Sequence, residues 1–569
     1  MTGNRPRTSV ASVRTMNSAR HLQSSSLADA ALSAQERMLP FLLNPASYPH
    51  HPKSVRLIQT HSAFVFVAAP WVYKVKKAVN FGFLDFSTLK RRHHFCEREM
   101  ELNRRLTSGV YLEVVPVVQV PGGYRLGGKG RVVDYAIRMR QLSARFFLDR
   151  LLERGAVDNA ALDRVTARLG IFYRAQPPDP HLAEAGRIPR LRIATEENFR
   201  QSRPFIGQTL SSAAFEAIRT YTDTSYRRLA RLFAARVREG RIRDCHGDLH
   251  LEHIHLTPRT LNIYDCIEFN ERFRQVDVAN DVAFLTMDLE FHGRRDLARH
   301  VAVQMARELN DPGLLHLLGF YQTYRAVVRG KVESLRSQAH AASEADRKAA
   351  IEVARRYFRL ALNDAVAGTH PLVLAVMGTP GSGKSTLAQS LAAELGWRRI
   401  ASDEVRKERA GIAPDHRGTA AERRALYATA RTDDTYRVLR ESAATLSATD
   451  QGLVLDATYS RRQHRDALRR DCASAGIPLC FLEARAPRRV LQQRLRARDG
   501  RSGEVSDARI EDLSVVLGNW DPPDELPAAD HLRISTHHSP EATVSRALTA
   551  LARRQATVAA AGARGREGV

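Results

Sequence analysis

Cysteine is scarce and scattered in this chain: Cys96, Cys245, Cys266, Cys472 and Cys480 are all of it, and no two form a CxxC pair. An odd number at long spacings argues against a disulfide framework or a cysteine-built zinc site, and points to a reducing cytoplasm. Long apolar runs are missing as well. No stretch reaches the roughly 18 apolar residues that a spanning helix needs, so no membrane association is expected. Acidic residues are in deficit, 62 Asp and Glu against 87 Lys and Arg, for a formal net charge of +25. Most of that excess is arginine spread through both halves, as an arginine-favouring coding bias produces. The alternative is attraction to polyanions, nucleic acid included. Neither RRM-type aromatic motifs nor a zinc-finger spacing accompanies the charge, so charge alone carries the nucleic-acid reading.

What is present is ordinary for a globular protein: 569 residues, 43% hydrophobic and 26% charged. That length exceeds a single core and predicts several folding units. Residues 1–35, rich in Ser and Arg, and 554–569, rich in Ala, Gly and Arg, read as disordered tails. Between them, 62–67 and 71–76 alternate around Ala69-Pro70, predicting two antiparallel strands. A charged helix is expected over 89–106, and further strands over 110–120 and 131–139. Helices then dominate from about 144 to 362, interrupted by a proline-rich loop at 176–180 and a short strand at 261–264. Gly368 to Pro371 ends the helical region. From Leu372 onward apolar strands at 372–377, 453–455 and 479–482 alternate with helices, the pattern of a parallel sheet. The expected domains are therefore 36–362 and 371–553.

In the second domain, Gly378-Thr-Pro-Gly381-Ser382-Gly383-Lys384-Ser385-Thr386 fits GxxxxGK[ST] at every fixed position. It follows an apolar strand and opens a helix, where glycines let backbone N–H groups close around phosphates. Lys384 is expected to reach the terminal phosphates of ATP, and the Ser385 hydroxyl to hold Mg²⁺. Asp456 ends a buried strand at Leu453-Val-Leu-Asp456; it either acts on Mg²⁺ through water or positions the acceptor. With Ala401-Ser402-Asp403-Glu404-Val405-Arg406 added, the region resembles small P-loop kinases of the polynucleotide kinase, zeta-toxin and chloramphenicol-phosphotransferase type. The resemblance implies that Asp403 orients or deprotonates an acceptor hydroxyl and that Arg406 binds an anionic part of the substrate. It also implies that Arg494 and Arg498, four apart on one helix face, form a nucleotide-covering lid.

The first domain carries Cys245-His246-Gly-Asp248-Leu-His250-Leu-Glu252-His253, followed by Tyr264-Asp265. Together with an upstream strand lysine, this resembles the aminoglycoside phosphotransferase family, which has a protein-kinase-like fold. By that resemblance Asp248 is the catalytic base and Asp265 a Mg²⁺ ligand. Lys74 would pair with the ATP phosphates and with Glu99, Lys76 being the competitor on the same strand face, and Met139 lies near the hinge. The family's metal-binding Asn is His253 here, and imidazole is a poorer Mg²⁺ ligand than an amide oxygen. Glu252 is the alternative oxygen. Asp281 is expected to anchor the loop, and His246 to organise it. His250, His253 and His255 lead into a strand, but without cysteines or an HExxH helix they do not read as a metal cluster.

The expected fold is thus multidomain: an α+β bilobal protein-kinase-like domain, then an α/β P-loop domain with a parallel sheet. The expected activity is a bifunctional ATP- and Mg²⁺-dependent phosphotransferase acting on a small-molecule hydroxyl acceptor. The alternative is a P-loop kinase acting on nucleic-acid or nucleotide ends, regulated by a degenerate kinase-like domain.

Overall fold

The protein was analysed as a computed structural model, which describes residues 31–339, 343–413, 416, 419–447, 449–499 and 509–564. It divides into two compact units, one made of Met1–Ala185 with Ile242–Asp281, the other of Gly186–Arg241 with Val282–Val569.

The first unit is built on a six-stranded antiparallel sheet in the order β1-β2-β3-β6-β4-β5. Its strands are β1 (Arg56–Gln59), β2 (Ala63–Ala68), β3 (Trp71–Lys76), β4 (Tyr111–Val120), β5 (Gly123–Leu126) and β6 (Arg131–Arg140). The alternation around Ala69-Pro70 does form the β2–β3 hairpin, with Val65 opposite Lys74. Phe64, Phe66, Tyr73 and Val75 go into one core beneath the sheet. Helix α1 (Leu89–Arg104), capped by Thr88 through its side chain, packs on β4 and β6 and carries Glu99 into the interior. Helix α2 (Asn159–Ala175) follows, capped by Asp158. Two short ribbons complete the unit: β7 (Ile242–Asp244) with β10 (Gln275–Asp277), and β8 (Ile254–Leu256) with β9 (Leu261–Ile263). Only β9 among these four is expected from sequence, because three-residue strands are too short to show a period.

The second unit contains a five-stranded parallel sheet ordered β12-β13-β11-β14-β15. Its strands are β11 (Leu372–Met377), β12 (Arg398–Ala401), β13 (Gly452–Asp456), β14 (Leu479–Arg485) and β15 (His531–Ser535). Every residue of β11 is buried, as a central parallel strand requires. Helices α3 (Ser212–Arg228), α4 (Gly313–Arg336) and α5 (Glu344–Ala367) belong to this unit. So do α6 (Lys384–Leu395), α7 (Ser402–Arg409), α8 (Arg488–Asp499) and α9 (Pro540–Arg564).

Three sequence expectations change. The boundary near 362–371 does not separate the two units: Phe215, Phe358, Leu374, Leu391, Leu482 and Leu551 share one hydrophobic core, so α3 and α5 group with the P-loop sheet. Gly368 ends α5 in a left-handed conformation (φ 71°), but the chain turns there without leaving the core. The segment 554–564, expected as a tail, is the last part of α9, and its Ala556 and Ala560 are buried. Of the N-terminal tail, 1–30 lies outside the described residues. Within 31–35, Gln35 is buried and donates to the Lys76 carbonyl (2.8 Å) and to Asp134 (2.5 Å). No described helix is long and apolar enough to cross a membrane.

Candidate functional site

In the second unit the loop between β11 and α6 wraps a cavity of about 600 Å³. Gly378, Gly381 and Gly383 all have positive φ, at 150°, 77° and 83°. At Gly378 a Cβ would lie 2.6 Å from the Ser382 hydroxyl oxygen and 2.7 Å from the Ala484 carbonyl, so only glycine lets the loop close there. The Ser382 hydroxyl is buried with no hydrogen-bond partner among the described residues. Its carbonyl is held by the Thr536 hydroxyl at 2.5 Å. Gly381, Gly383, Lys384, Ser385 and Thr386 line the cavity together with Asp403, Asp456 and Arg494. Gly378 and Ser382 shape the loop from behind. These features fit a bound phosphate chain: a glycine cradle, the opening turn of α6, and a lysine on the wall.

Around that cradle, Asp456 is buried at the end of β13 and accepts from the Ser385 hydroxyl at 3.2 Å. Its other oxygen accepts from Arg399 on β12 at 2.8 Å, and Arg399 also pairs with Glu404. Asp403 opens α7 and accepts from Arg406 (3.0 Å) and from the Tyr427 hydroxyl (3.3 Å). Arg406, expected to bind substrate, is buried, stacks over the Tyr427 ring at 4.2 Å, and pairs with Asp403, which lines the cavity. The helical spacing of Asp403 and Arg406, three apart, favours the intramolecular pair. Arg494 donates to the Thr536 carbonyl at 2.6 Å and to the Gly381 carbonyl at 3.4 Å. The side chain of Arg498 lies outside the described residues. Sequence reasoning missed Arg399, on the four-residue β12, and Thr536, which directly follows β15; neither belongs to a motif.

The first unit brings together a second cluster. Lys74 on β3 bridges Glu99 on α1 (2.8 Å) and Asp265 (2.6 Å). Lys76, two residues on, bridges the other oxygen of Glu99 (2.6 Å) and Glu268. The two lysines therefore share Glu99, and only Lys74 reaches Asp265. Burial disfavours the Lys74 charge, but Asp265 and then Glu99 outweigh it and hold the ammonium well above the usual lysine range. Burial likewise opposes the Asp265 carboxylate, and Lys74 overcomes it, holding that acid below its usual range. Asp265 sits at φ 63°, a left-handed conformation uncommon outside glycine and found where surrounding structure dictates it.

Asp248 follows Gly247, whose φ of 88° and close approach to the Phe273 carbonyl (2.9 Å from a would-be Cβ) suit only glycine. Asp281 accepts from the backbone N–H of His246 (2.9 Å) and Gly247 (2.8 Å) and from the Tyr173 hydroxyl (2.8 Å), so it anchors this loop. His246 reaches the Tyr264 carbonyl at 3.0 Å, tying the loop to Asp265's strand end. His253 makes a 2.9 Å hydrogen bond to the Asp248 carbonyl and lies 3.5 Å from Asp265 through its other nitrogen. Burial, then the neighbouring His250, lower its pKa to about 4. Glu252, the alternative oxygen donor, is exposed. The histidines were not expected to cluster, yet Asp248, His250 and His253 offer atoms within 4.8 Å of one another. His255 instead packs against the Phe146 and Phe147 rings. Glu268 was also missed; it lies three residues beyond Asp265, outside any motif.

Residues 373–523 match the family model described as AAA domain. Among solved structures, the chain is similar to a gluconokinase from Sinorhizobium meliloti (23% identity, 32% of this chain and 92% of that one, TM-score 0.23). It is also similar to the APS kinase of Mycobacterium tuberculosis (21% identity, 32% and 98%, TM-score 0.23). Over a longer span it resembles "Uncharacterized protein Rv2004c" of Mycobacterium tuberculosis and "Uncharacterized protein Mb2027c" of Mycobacterium bovis. Each is 30% identical over 466 residues, covering 81% of this chain and 90% of the relative. The chain belongs to the family of these two mycobacterial proteins, and within it carries an AAA-domain P-loop at 373–523.

Proposed function

We propose that this protein is an ATP-dependent phosphotransferase with two phosphoryl-transfer centres, each acting on a hydroxyl of a small molecule. The observation that carries the reading is that each unit has its own lysine set among carboxylates: Lys384 with Asp403 and Asp456, and Lys74 with Glu99 and Asp265. In the P-loop unit, the loop N–H groups and Lys384 hold the phosphates, while Ser385 and Asp456 hold the cation. Asp403, steadied by Arg406 and Tyr427, faces the same cavity and accepts the proton of the attacking hydroxyl. In the first unit, Lys74 serves the phosphates and Glu99 keeps it extended. Asp248 is the base, on a loop pinned by Asp281, and Asp265 with His253 forms the cation site. The kinase-like reading of this unit is supported by that arrangement together with the resemblance of its loop to aminoglycoside phosphotransferases. A bound divalent cation would neutralise phosphate charge, which, with positioning, dominates phosphoryl transfer.

The test is ATP consumption and phosphate transfer over a panel of hydroxylated acceptors, using wild type, Lys384→Ala and Asp248→Ala. Two-centre function predicts that each substitution removes a distinct acceptor activity, by at least about 100-fold. If only Lys384→Ala matters, the first unit is a binding or regulatory module and the two-centre reading fails.

A further inference from the structure

The second unit holds another cavity, of about 880 Å³, which shares Ser390, Pro540 and Val544 with the wall of the P-loop cavity and otherwise has its own lining. The loop before α3, the middle turns of α5, the second half of α6 and the start of α9 converge on it. That volume suits a small molecule. None of Lys384, Asp403 and Asp456 lines it, so it is not the place of the acceptor hydroxyl. Its apolar lining is the edge of the unit's core: Leu210, Phe358, Leu362 and Val544 are all buried there.

The charged groups of this lining are unequally engaged. Glu394 on α6 accepts from the Ser211 hydroxyl at 2.8 Å. Glu541, in the first turn of α9, accepts from its own backbone N–H and from the Ser539 hydroxyl. Two arginines stand on the same face of α5 as Phe358 and Leu362, at the spacing i, i+3, i+4, i+7. Arg355 donates through Nε to the Gln208 carbonyl at 3.0 Å, and a terminal nitrogen lies 3.7 Å from the exposed Glu352. Arg359 makes no hydrogen bond or ion pair among the described residues. Two guanidinium groups four apart on a helix repel one another, and an anion placed against both relieves that repulsion. The planar fork of arginine also matches a carboxylate or a phosphate.

We propose that this cavity is an effector site for a small organic anion, whose carboxylate or phosphate is held by Arg359 and Arg355 and whose apolar body rests on Phe358, Leu362 and Val544. Helix α6 links it to the nucleotide site. Its first residues, Lys384 and Ser385, line the P-loop cavity, and Ser390, Ala393 and Glu394 line this one. A ligand that holds α5 against α6 and α9 therefore acts on a wall that the nucleotide also uses, and the coupling is reciprocal.

The experiment is a calorimetric titration of the full chain with phenyl phosphate and, separately, with benzoate. Mg²⁺ and a saturating non-hydrolysable ATP analogue are present to fill the nucleotide sites. At least one probe is expected to bind once per chain with a dissociation constant of about 1 mM or tighter, and the preferred probe identifies the anionic head. Arg359→Gln should weaken binding about 10-fold or more. Ala393→Phe, which fills the cavity without removing a charge, should do the same. Both residues are exposed, and matching melts check that the variants fold. In wild type the bound probe should also shift the affinity for the analogue by about 5-fold or more, and in Arg359→Gln it should not. The inference is overturned if neither probe binds, if either variant binds as wild type does, or if the analogue's affinity moves less than about 2-fold.

Discussion

At the scale of single residues, the phosphate loop depends on backbone that only glycine tolerates. Gly378 combines φ 150° with would-be Cβ contacts of 2.6 and 2.7 Å, the nearer to Ser382 and the other to the Ala484 backbone oxygen. Gly378→Ala is therefore expected to cost about 1–3 kcal/mol of stability and to abolish nucleotide binding. A thermal melt and a nucleotide titration on the same sample check both. Arg406 donates to Asp403, so any effect of it on turnover is expected to run through that neighbour. Arg406→Ala should lower kcat about as much as Asp403→Ala does, leaving KM for ATP within about 2-fold; a large rise in KM for the acceptor instead would mean direct substrate contact. Such roles differ in how legible they are. The P-loop residues are set by local chain geometry, and nine adjacent letters display them. Arg406 reads as a substrate ligand in sequence because an Asp-x-x-Arg spacing does not tell whether the arginine faces outward or back to its own aspartate.

At the scale of elements, α5 carries a buried acid with no hydrogen-bond partner among the described residues. Burial, and then the nearby Glu290, push the Asp364 carboxyl well above its ordinary 3.8, while Arg295 pulls the other way. A raised acid keeps its proton in the fold after the unfolded chain has lost it. The contribution of Asp364 to stability is thus greatest below pH 3.8 and declines as pH climbs toward the raised folded value. Asp364→Asn removes that decline and should stabilise the protein by about 1 kcal/mol or more at pH 7.5, with little gain near pH 4. Melts at the two pH values decide it. Helix α9 is an element of the core: Leu551 is fully buried among Val544, Leu548 and α3 and α5 side chains. Leu551→Ala is expected to cost about 2–5 kcal/mol, seen as a shifted denaturation midpoint. Its Ala-rich end reads in sequence as a tail because small residues give little apolar signal, although alanine is the residue that lets helices approach closely. The β2–β3 hairpin and β11 were legible for the opposite reason, with bulky residues at a strict period or in an unbroken run.

At the scale of the whole molecule, all five cysteines are buried and unpaired. Burial pushes the Cys96, Cys266, Cys472 and Cys480 thiols up to about 12. A thiol reagent should label less than about one cysteine per folded chain at pH 7.5 and all of them in denaturant, and a reductant should leave Tm unchanged. Labelling of the native protein would contradict this burial. The grouping of segments into units was the least legible feature. Gly368 to Pro371 marks a real chain reversal, but which helices bury their faces together depends on contacts hundreds of residues apart. Those contacts have a consequence for how the protein is made. Helix α3 packs against α9, and about 310 residues separate the two. At about 5–20 residues per second, α3 waits on the order of 15–60 s on the ribosome before its partner is synthesised. Until then the apolar faces of α3 and α5 that α9 will cover stay open, so nascent chains of this protein are natural clients for holding chaperones. A message truncated before codon 540 yields a P-loop whose supporting core cannot close.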